Sequence, residues 1–184
     1  MESNPWKIKS EKNIYDNPWI NLTEYQVVNP NGGDGIYGKV HFKNTAIGIM
    51  VLDDQLNTYL VGQFRFPLNA YSWEIPEGGC PLGTDPLLSG KRELLEETGL
   101  LAAQWDYLFA MHLSNSVSDE KAIVYLARTL TQSVAEPEDT EKLTIKKVPF
   151  FEAVKMVENG EISDSMSVAA IFKIQVLLAQ GKLL

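Results

Sequence analysis

The sequence is short of the residues on which several classes of protein depend. It holds one cysteine, Cys80, so no disulfide can form within the chain, and small folds stabilised by disulfides are excluded. Its two histidines, His41 and His112, have no partner pattern, and we interpret both as structural. The first residues, MESNPWKIKS, lack the basic end and the apolar run of a secretory signal. These features predict a cytoplasmic protein.

Long apolar runs and positive charge are also scarce. The longest apolar run, TAIGIMVL at residues 45–52, is far shorter than the roughly 20 residues of a membrane-spanning helix. Asp and Glu number 24 against 16 Lys and Arg, and the formal net charge is −8. Because an acidic chain gains nothing from a phosphate backbone or an anionic membrane surface, we expect neither nucleic acid nor membrane as a partner, and a small anionic substrate would require cations recruited locally.

The 184 residues suit one domain, so we expect residues 1–184 to form a single unit. Runs of β-branched and aromatic residues predict strands within residues 6–16, 20–28, 35–42, 45–53, 57–66, 71–75, 103–113, 120–129 and 143–150. The run at 45–52 is nearly all apolar, which indicates a strand buried on both faces. Apolar periodicity predicts helices ending at Gly160 and Gly181. The expected fold is α+β, with a mixed β-sheet sandwiched between α-helices.

A central helix is predicted over residues 86–98. Asp85 supplies an N-cap side chain, and Pro86 follows at the first helical position, where its missing N–H costs nothing. Gly99 is the residue type that commonly ends a helix. At about 100° per residue, one face collects the apolar side chains that we expect to face the core, namely Leu87, Leu88, Leu94 and Leu95.

Three carboxylates of this helix, Glu93, Glu96 and Glu97, share another face, which we expect to project away from the core. Like charges at these spacings cost only about 0.2–0.5 kcal/mol per pair, so a solvated acidic face is one interpretation. The other is a divalent cation site, because Mg²⁺ binds carboxylate oxygens and lets an acidic surface accept a phosphate. The preceding segment, PEGGCPLGTDP, is dense in Gly and Pro, and we interpret it as a tight loop near a ligand.

Residues 78–100 form the pattern G-x5-T-x7-R-E-L-L-E-E-T-G-L. This pattern resembles the Nudix box, which has a glutamate in place of Thr84 and otherwise agrees at each fixed position. The upstream segment QFRFPLNAYSWEIPEGG is similar to the Gln-[Phe/Tyr]-Arg…Glu-x-Pro-x-Gly segment of ADP-ribose pyrophosphatases and related nucleotide-sugar diphosphatases. The segment GEISDSMSVAAIF resembles the closing helix of the same branch.

The resemblance implies a Nudix fold and hydrolysis of the diphosphate bond in a nucleoside diphosphate linked to a sugar. The simplest case is conversion of ADP-ribose to AMP and ribose 5-phosphate. It further implies Mg²⁺ as the cofactor, with Mn²⁺ as a substitute, and a homodimer. The N-terminal strands within residues 1–42 are the candidate dimerisation arm.

Carried over residue by residue, the resemblance makes Glu93, Glu96 and Glu97 metal ligands, and the backbone carbonyl of Glu77 a further ligand. Glu93, Glu97 and Arg92 would belong to the catalytic machinery, with Glu93 also a candidate base. Arg92 would hold the glutamates by charge-assisted hydrogen bonds, whereas spacing alone indicates an ordinary i,i+4 pair with Glu96.

Arg65 and Glu74 would bind substrate in the same scheme. The planar guanidinium of Arg65 suits a phosphate, and Glu74 would contact the metal or the substrate. Without the resemblance, Arg65 is a surface arginine at a strand end and Glu74 an edge-strand glutamate. Trp73 alternates with Glu74, and we expect it in the core.

The proton acceptor of related enzymes is often a glutamate on the loop after the last long strand. The corresponding segment here is AEPEDTEK, and we assign Glu138 and Glu141 as candidate bases, with Glu136 and Asp139 beside them. A solvated acidic loop explains the same residues. Ser118–Glu120 is a weaker candidate for a substrate-side turn.

Two departures from the family pattern motivate an alternative function. Thr84 lacks the carboxylate of the box, and Gly90 lies in the middle of the helix, where it costs about 1 kcal/mol relative to alanine. The alternative is a catalytically weakened Nudix domain that acts as a nucleotide-binding or interaction module.

Overall fold

The computed structural model describes residues 3–135 and 142–183. The N-terminal part is an antiparallel sheet of β1 (Lys7–Asp16), β2 (Ile20–Val28) and β3 (Asp34–Phe42) in the order β1-β2-β3. Every residue of β1 is exposed. We call these three strands the N-terminal sheet.

The rest of the described chain is built on two further sheets. The first has the order β7 (Glu77–Pro81), β4 (Asn44–Val51), β9 (Lys121–Gln132) and β8 (Leu100–His112). Because β4 and β9 are parallel and the other neighbours are antiparallel, this central sheet is mixed. The second sheet has the order β10 (Thr144–Pro149), β5 (Asn57–Arg65) and β6 (Ala70–Glu74), with a short 3-10 helix, Phe66–Leu68, between β5 and β6.

Helices cover both faces of the central sheet. The side chains of Ile47 and Ile49 in β4 pack in one apolar cluster with Leu94 of α1 (Pro86–Thr98). Met50 packs in the opposite cluster, which includes residues of α2 (Phe150–Glu158) and α3 (Ser165–Ala179). The structure therefore confirms a mixed sheet between helices, and the apolar run lies in β4, Asn44–Val51, which is buried on both faces. No helix among the described residues is long and apolar enough to span a membrane.

Two local predictions are wrong. Residues 77–81 were expected in a tight loop, but they form β7 and pair with β4, because this segment supplies an edge to the central sheet. Leu88 was expected in the core, yet it is 60% exposed. The face of α1 that packs on β4 instead contains Gly90, where an added Cβ would lie 3.3 Å from Ile47 Cγ2. Gly90 therefore permits close contact between helix and sheet.

The N-terminal sheet is joined to the central sheet through the turn that follows β8. The N–H of Val40 donates to the carbonyl of Val117 at 2.8 Å, and Tyr37 Oη donates to the carbonyl of Ser116 at 2.5 Å. His41 Nδ1 lies 2.8 Å from Asp119 Oδ2, and Phe42 N–H donates to Asp119 Oδ1 at 3.1 Å. His41 therefore serves this junction.

Candidate active site

The helix α1 begins and ends where the sequence indicates. Asp85 Oδ1 accepts the N–H of Leu87 at 2.9 Å, and Pro86 occupies the first turn. Gly99 has a φ of 69°, and its N–H donates to the carbonyl of Leu95 at 2.8 Å. These caps place the three glutamates in the last turns of α1, beside the start of β7.

Glu97 points into the protein. It is 5% exposed, and its Oε2 accepts the N–H of Glu77 at 3.0 Å. The expectation that all three carboxylates project away from the core is therefore wrong for Glu97. The reason is the strand β7, because residues 77–81 lie alongside α1 and face this glutamate with a backbone donor.

Gly78 and Glu93 touch each other. A Cβ added to Gly78 would lie 2.0 Å from the carboxyl carbon of Glu93 and 2.3 Å from its Oε1. No side chain fits there unless Glu93 moves. The glycine of the box is thus required by the close approach of β7 to the Glu93 carboxylate.

Arg92 contacts two of the glutamates and β7. Its Nη1 donates to Glu96 Oε2 at 2.7 Å, and its Nη2 donates to Glu93 Oε1 at 2.5 Å and to the carbonyl of Gly79 at 3.3 Å. The side chain makes the i,i+4 pair that its spacing predicts and additionally orients Glu93. Charge-assisted contacts of this kind fix direction as well as adding energy.

Arg65 and Glu74 form a two-point ion pair on neighbouring strands. Arg65 Nε donates to Glu74 Oε1 at 3.0 Å and to Oε2 at 3.1 Å, and Nη2 also donates to Oε2. Glu74 is 3% exposed, so it is a buried partner and not a solvated edge residue. Burial opposes the charge on Arg65, but Glu74 and then Glu77 and Asp164 raise the pKa of the guanidinium above its usual value.

Glu77 is a strongly perturbed acid of the site. Ser167 Oγ donates to its Oε1 at 3.2 Å, and Arg65 Nη2 lies 3.9 Å from its Oε2. Burial, the neighbouring Asp164 and then Glu74 raise the pKa of the Glu77 carboxyl well above its usual range, against the opposing effect of Arg65. A carboxyl in this setting holds its proton at higher pH than a solvated glutamate does.

A cleft of about 460 Å³ opens over these residues. Its polar wall includes Arg65, Glu77, Glu120 and Asp164, and Trp19 lies at its margin with 65% of its surface exposed. Burial raises the pKa of Glu120. The cleft therefore combines one guanidinium, several carboxyl groups and an exposed aromatic ring.

The donor set fits a hard divalent cation by its chemistry. Glu93, Glu96 and Glu97 bring carboxylate oxygens to one side of α1, and such ions prefer oxygen ligands. Among residues 3–135 and 142–183, however, no three Asp, Glu, His or Cys side chains are placed so that they could already hold an ion. Arg92 engages Glu93 and Glu96, so these carboxylates would have to exchange their contacts with Arg92 for an ion.

Several residues singled out from the sequence are not among the described residues that line the cleft. Glu138 and Glu141 lie outside the described residues. Trp73 is partly buried, packs against the core and lies over Gly62, where an added Cβ would be 2.7 Å from its ring. Thr84 is exposed, and its hydroxyl donates to the carbonyl of Pro81 in the turn before α1.

Three residues of the cleft carried little or no sequence signal. Asp164 has a recognisable local role, because its Oδ2 caps α3 by accepting the N–H of Ser167 at 2.8 Å. Nothing in the local pattern says that this cap faces Glu77. Trp19 reaches the cleft because the N-terminal sheet is joined to the central sheet. Glu120 reaches it because the turn after β8 pairs with β3.

Two family models match the chain. The model described as "NUDIX domain" matches residues 42–168, and the model described as "Nucleoside diphosphate sugar hydrolase N-terminal domain" matches residues 6–40. Together they cover the N-terminal sheet except His41, and all of the residues assigned to the cleft.

Curated relatives and a solved structure agree with these models. The chain is 31% identical over 182 residues to an "ADP-ribose pyrophosphatase" of Mycobacterium tuberculosis, covering 96% of this chain and 86% of the relative. It is 30% identical over 178 residues to an "ADP-ribose pyrophosphatase" of Bacillus subtilis, covering 96% of each. The fold matches a crystal structure of an "ADP compounds hydrolase" with a TM-score of 0.86 at 18% identity, over 100% of both chains.

Proposed function

The chain belongs to the Nudix family as a pyrophosphohydrolase of the ADP-ribose pyrophosphatase type, and we propose that it hydrolyses a nucleoside diphosphate linked to a sugar. The proposed reaction adds water across the diphosphate, and its simplest form converts ADP-ribose to AMP and ribose 5-phosphate. The observation that carries it is the joint placement of Arg65, Glu77 and Gly78 in the wall of one cleft, with Glu93 and Glu97 held directly behind β7.

We propose Mg²⁺ as the cofactor, because Nudix hydrolases generally use divalent metal ions and the donors here are oxygens. Glu93, Glu96, Glu97 and the backbone carbonyl of Glu77 would hold it. A bound divalent ion neutralises phosphate charge and lowers the pKa of its water. Mn²⁺ would substitute, because it accepts the same ligands.

Arg65 is proposed to bind a phosphate oxygen of the substrate. Its Nε and Nη2 are occupied by Glu74, and among the described residues no acceptor contacts Nη1. A guanidinium has five N–H donors in a fixed plane, so the pair with Glu74 orients the group and leaves donors for a ligand. Glu74 therefore acts on the substrate through Arg65.

The proton of the attacking water needs an acceptor. We keep Glu138 and Glu141 as the proposed bases on the segment after β9. Glu120 is a further candidate, because it lies in the cleft wall and burial raises the pKa of its carboxyl toward the range useful for a general base.

The nucleoside base is proposed to stack on Trp19. This ring is exposed at the margin of the cleft, and Phe42 lies nearby in the same wall. An aromatic face binds any nucleobase by stacking, which contributes about 1–3 kcal/mol per base. Trp19→Ala is expected to raise KM with little change in kcat.

The substrate proposal is tested by a product assay. ADP-ribose, ADP-glucose, GDP-mannose, NADH and diadenosine polyphosphates are incubated with the enzyme and Mg²⁺ or Mn²⁺, and products are separated by chromatography. We expect AMP and a sugar phosphate from at least one ADP-sugar, and no product when the ion is chelated. Absence of turnover across the set with both ions would refute the substrate class.

We also propose that residues 1–184 act as one unit that forms a homodimer through the N-terminal sheet. Trp6 and Tyr37 pack edge to face, and with Ile8 they line an apolar groove of about 310 Å³ on this sheet. Ile8 is 63% exposed in this groove, and contiguous exposed apolar patches mark interaction sites. Light scattering on the wild type and on Ile8→Lys tests this, because a charge in the interface should yield monomers.

A further inference from the structure

Ser167 lies at the junction between α3 and the turn that connects β6 to β7. It is fully buried, with 0% of its surface exposed. Its hydroxyl accepts the N–H of Ile75 at 2.9 Å and donates to Glu77 Oε1 at 3.2 Å. Its own N–H donates to Asp164 Oδ2 at 2.8 Å, which fixes it in the first turn of α3. One hydroxyl thus binds both ends of the segment Ile75–Glu77.

This segment in turn holds two glutamates of α1. The N–H of Glu77 donates to Glu97 Oε2 at 3.0 Å. The next residue, Gly78, approaches Glu93 so closely that an added Cβ would overlap its carboxylate. Because both contacts originate within two neighbouring residues, a displacement of the segment changes the orientation of both carboxylates. Close-packed interiors transmit such shifts and do not absorb them.

We propose that Ser167 is a positioning residue for the ion-binding glutamates. Through the segment Ile75–Glu77, its hydroxyl limits the directions that the Glu97 and Glu93 carboxylates can take, and thereby sets their affinity for a divalent cation. The inference rests on the proposed metal-dependent function, but it concerns a residue that touches neither the ion nor the substrate. Mutation of residues that support metal ligands typically lowers metal affinity or activity by about 10–100-fold.

A purely structural serine would behave differently. Its removal would lower the free energy of unfolding of the whole protein. It would not affect the exchange of the Glu77 amide or the affinity for the ion more than another destabilising substitution does. A buried apolar truncation that removes no hydrogen bond of the turn supplies the matched control. Val154 of α2 is 4% exposed and belongs to the same core cluster as Ile75, but its side chain takes no part in the hydrogen bonds of Ser167, so Val154→Ala destabilises the protein and leaves those bonds in place.

The experiment compares Ser167→Ala with Val154→Ala in the full chain. The first measurement is the hydrogen exchange of the Glu77 amide by NMR without metal. The second is the affinity for Mn²⁺ alone, measured by calorimetry. For Ser167→Ala we expect the Glu77 amide to exchange about 10-fold faster, and Mn²⁺ to bind about 10-fold more weakly, than in Val154→Ala. Ser167→Thr, which restores the hydroxyl, should recover part of both quantities.

Equal Glu77 exchange and equal Mn²⁺ affinity in the two alanine variants would overturn the proposal. This comparison decides the question even if the methyl group of Ser167→Thr is not accommodated. Both measurements are independent of turnover. If the wild type hydrolyses none of the substrates tested, the proposed function fails, whereas the exchange and binding data still decide the role of Ser167.

Discussion

The acidic side chains of the Nudix part, residues 42–168, and those of the N-terminal sheet carry the same chemical group, but two residues from each part lie in opposite environments. The two of the Nudix part are buried, whereas the two of the N-terminal sheet are exposed. Glu74 and Glu97 are 3% and 5% exposed, and each has a defined partner. The side chains of Asp16 and Asp34 in the N-terminal sheet are 51% and 76% exposed, and each pairs with a lysine at the surface. Burial lets neighbours dictate the direction of a carboxylate, whereas exposed pairs are screened by water and contribute little.

The largest difference between the two regions is expected on removing one negative charge. Glu97→Gln keeps an oxygen that can accept the N–H of Glu77 but loses the charge that a cation needs. We expect kcat to fall by about 1,000-fold, within the range for loss of a catalytic group. Steady-state kinetics with saturating Mg²⁺ provides the measurement.

Glu11→Gln is the matched control, because Glu11 lies in the exposed strand β1. It should leave kcat unchanged. A Glu97→Gln enzyme with the wild-type rate would remove Glu97 from the site.

A second comparison uses two glycines. Gly78→Ala places a methyl group within the Glu93 carboxylate, whereas a Cβ on Gly38 of β3 meets nothing within 4 Å. Since displacing a catalytic group by about 1 Å can cost about 100-fold in rate, we expect roughly that loss for Gly78→Ala. Gly38→Ala should retain full activity. Comparable activities for the two alanine variants would show that the contact between Gly78 and Glu93 has no catalytic consequence.

A third comparison concerns stability and pH, and it involves two aspartates that pair with lysines. Burial alone would raise the pKa of Asp53, but hydrogen bonds from Lys147, Asn57 and Gln55 lower it to about 2. Because this value lies below that of the unfolded chain, the stabilisation is fully present above about pH 4. It is lost as the pH falls through about 2. The shift corresponds to about 2 kcal/mol at neutral pH.

Urea unfolding at pH 7 and pH 3 tests this difference. Asp53→Asn should lose about 2 kcal/mol at pH 7 and less at pH 3. At Asp16 the hydrogen bond from Lys43 lowers the pKa, but the carboxylate is exposed, and Asp16→Asn should change stability much less at either pH. Equal losses in the two variants would mean that the hydrogen bonds of Asp53 contribute no more than the exposed ion pair at Asp16.

Much of the fold could be predicted because its signals are local. The cap at Asp85, the proline after it and the glycine at position 99 each act within one turn of helix, and α1 begins and ends there. The apolar run at 45–52 predicted a strand buried on both faces for the same reason. β7 was missed because its sequence, Glu-Gly-Gly-Cys-Pro, has no strand propensity, and pairing with β4 overrides that preference.

The site was only partly predictable. The spacing of Glu93, Glu96 and Glu97 identifies one helix surface, but it cannot tell which of them faces a neighbouring strand. Asp164 and Ser167 are separated from Glu77 by a long stretch of chain, so no local pattern connects them. Their contact depends on where α3 packs.

The sequence by itself determined the family, the capped helix and the oxygen donors, because each of these depends on residue type and on spacing within a few turns of chain. Only the tertiary structure decided that Glu97 is buried while Glu96 stays partly exposed, that Gly78 makes room for Glu93, and that α3 closes on the turn before β7. These features arise from contacts between segments distant in sequence. The direction of a side chain there is set by packing and by buried hydrogen bonds, which no single segment encodes.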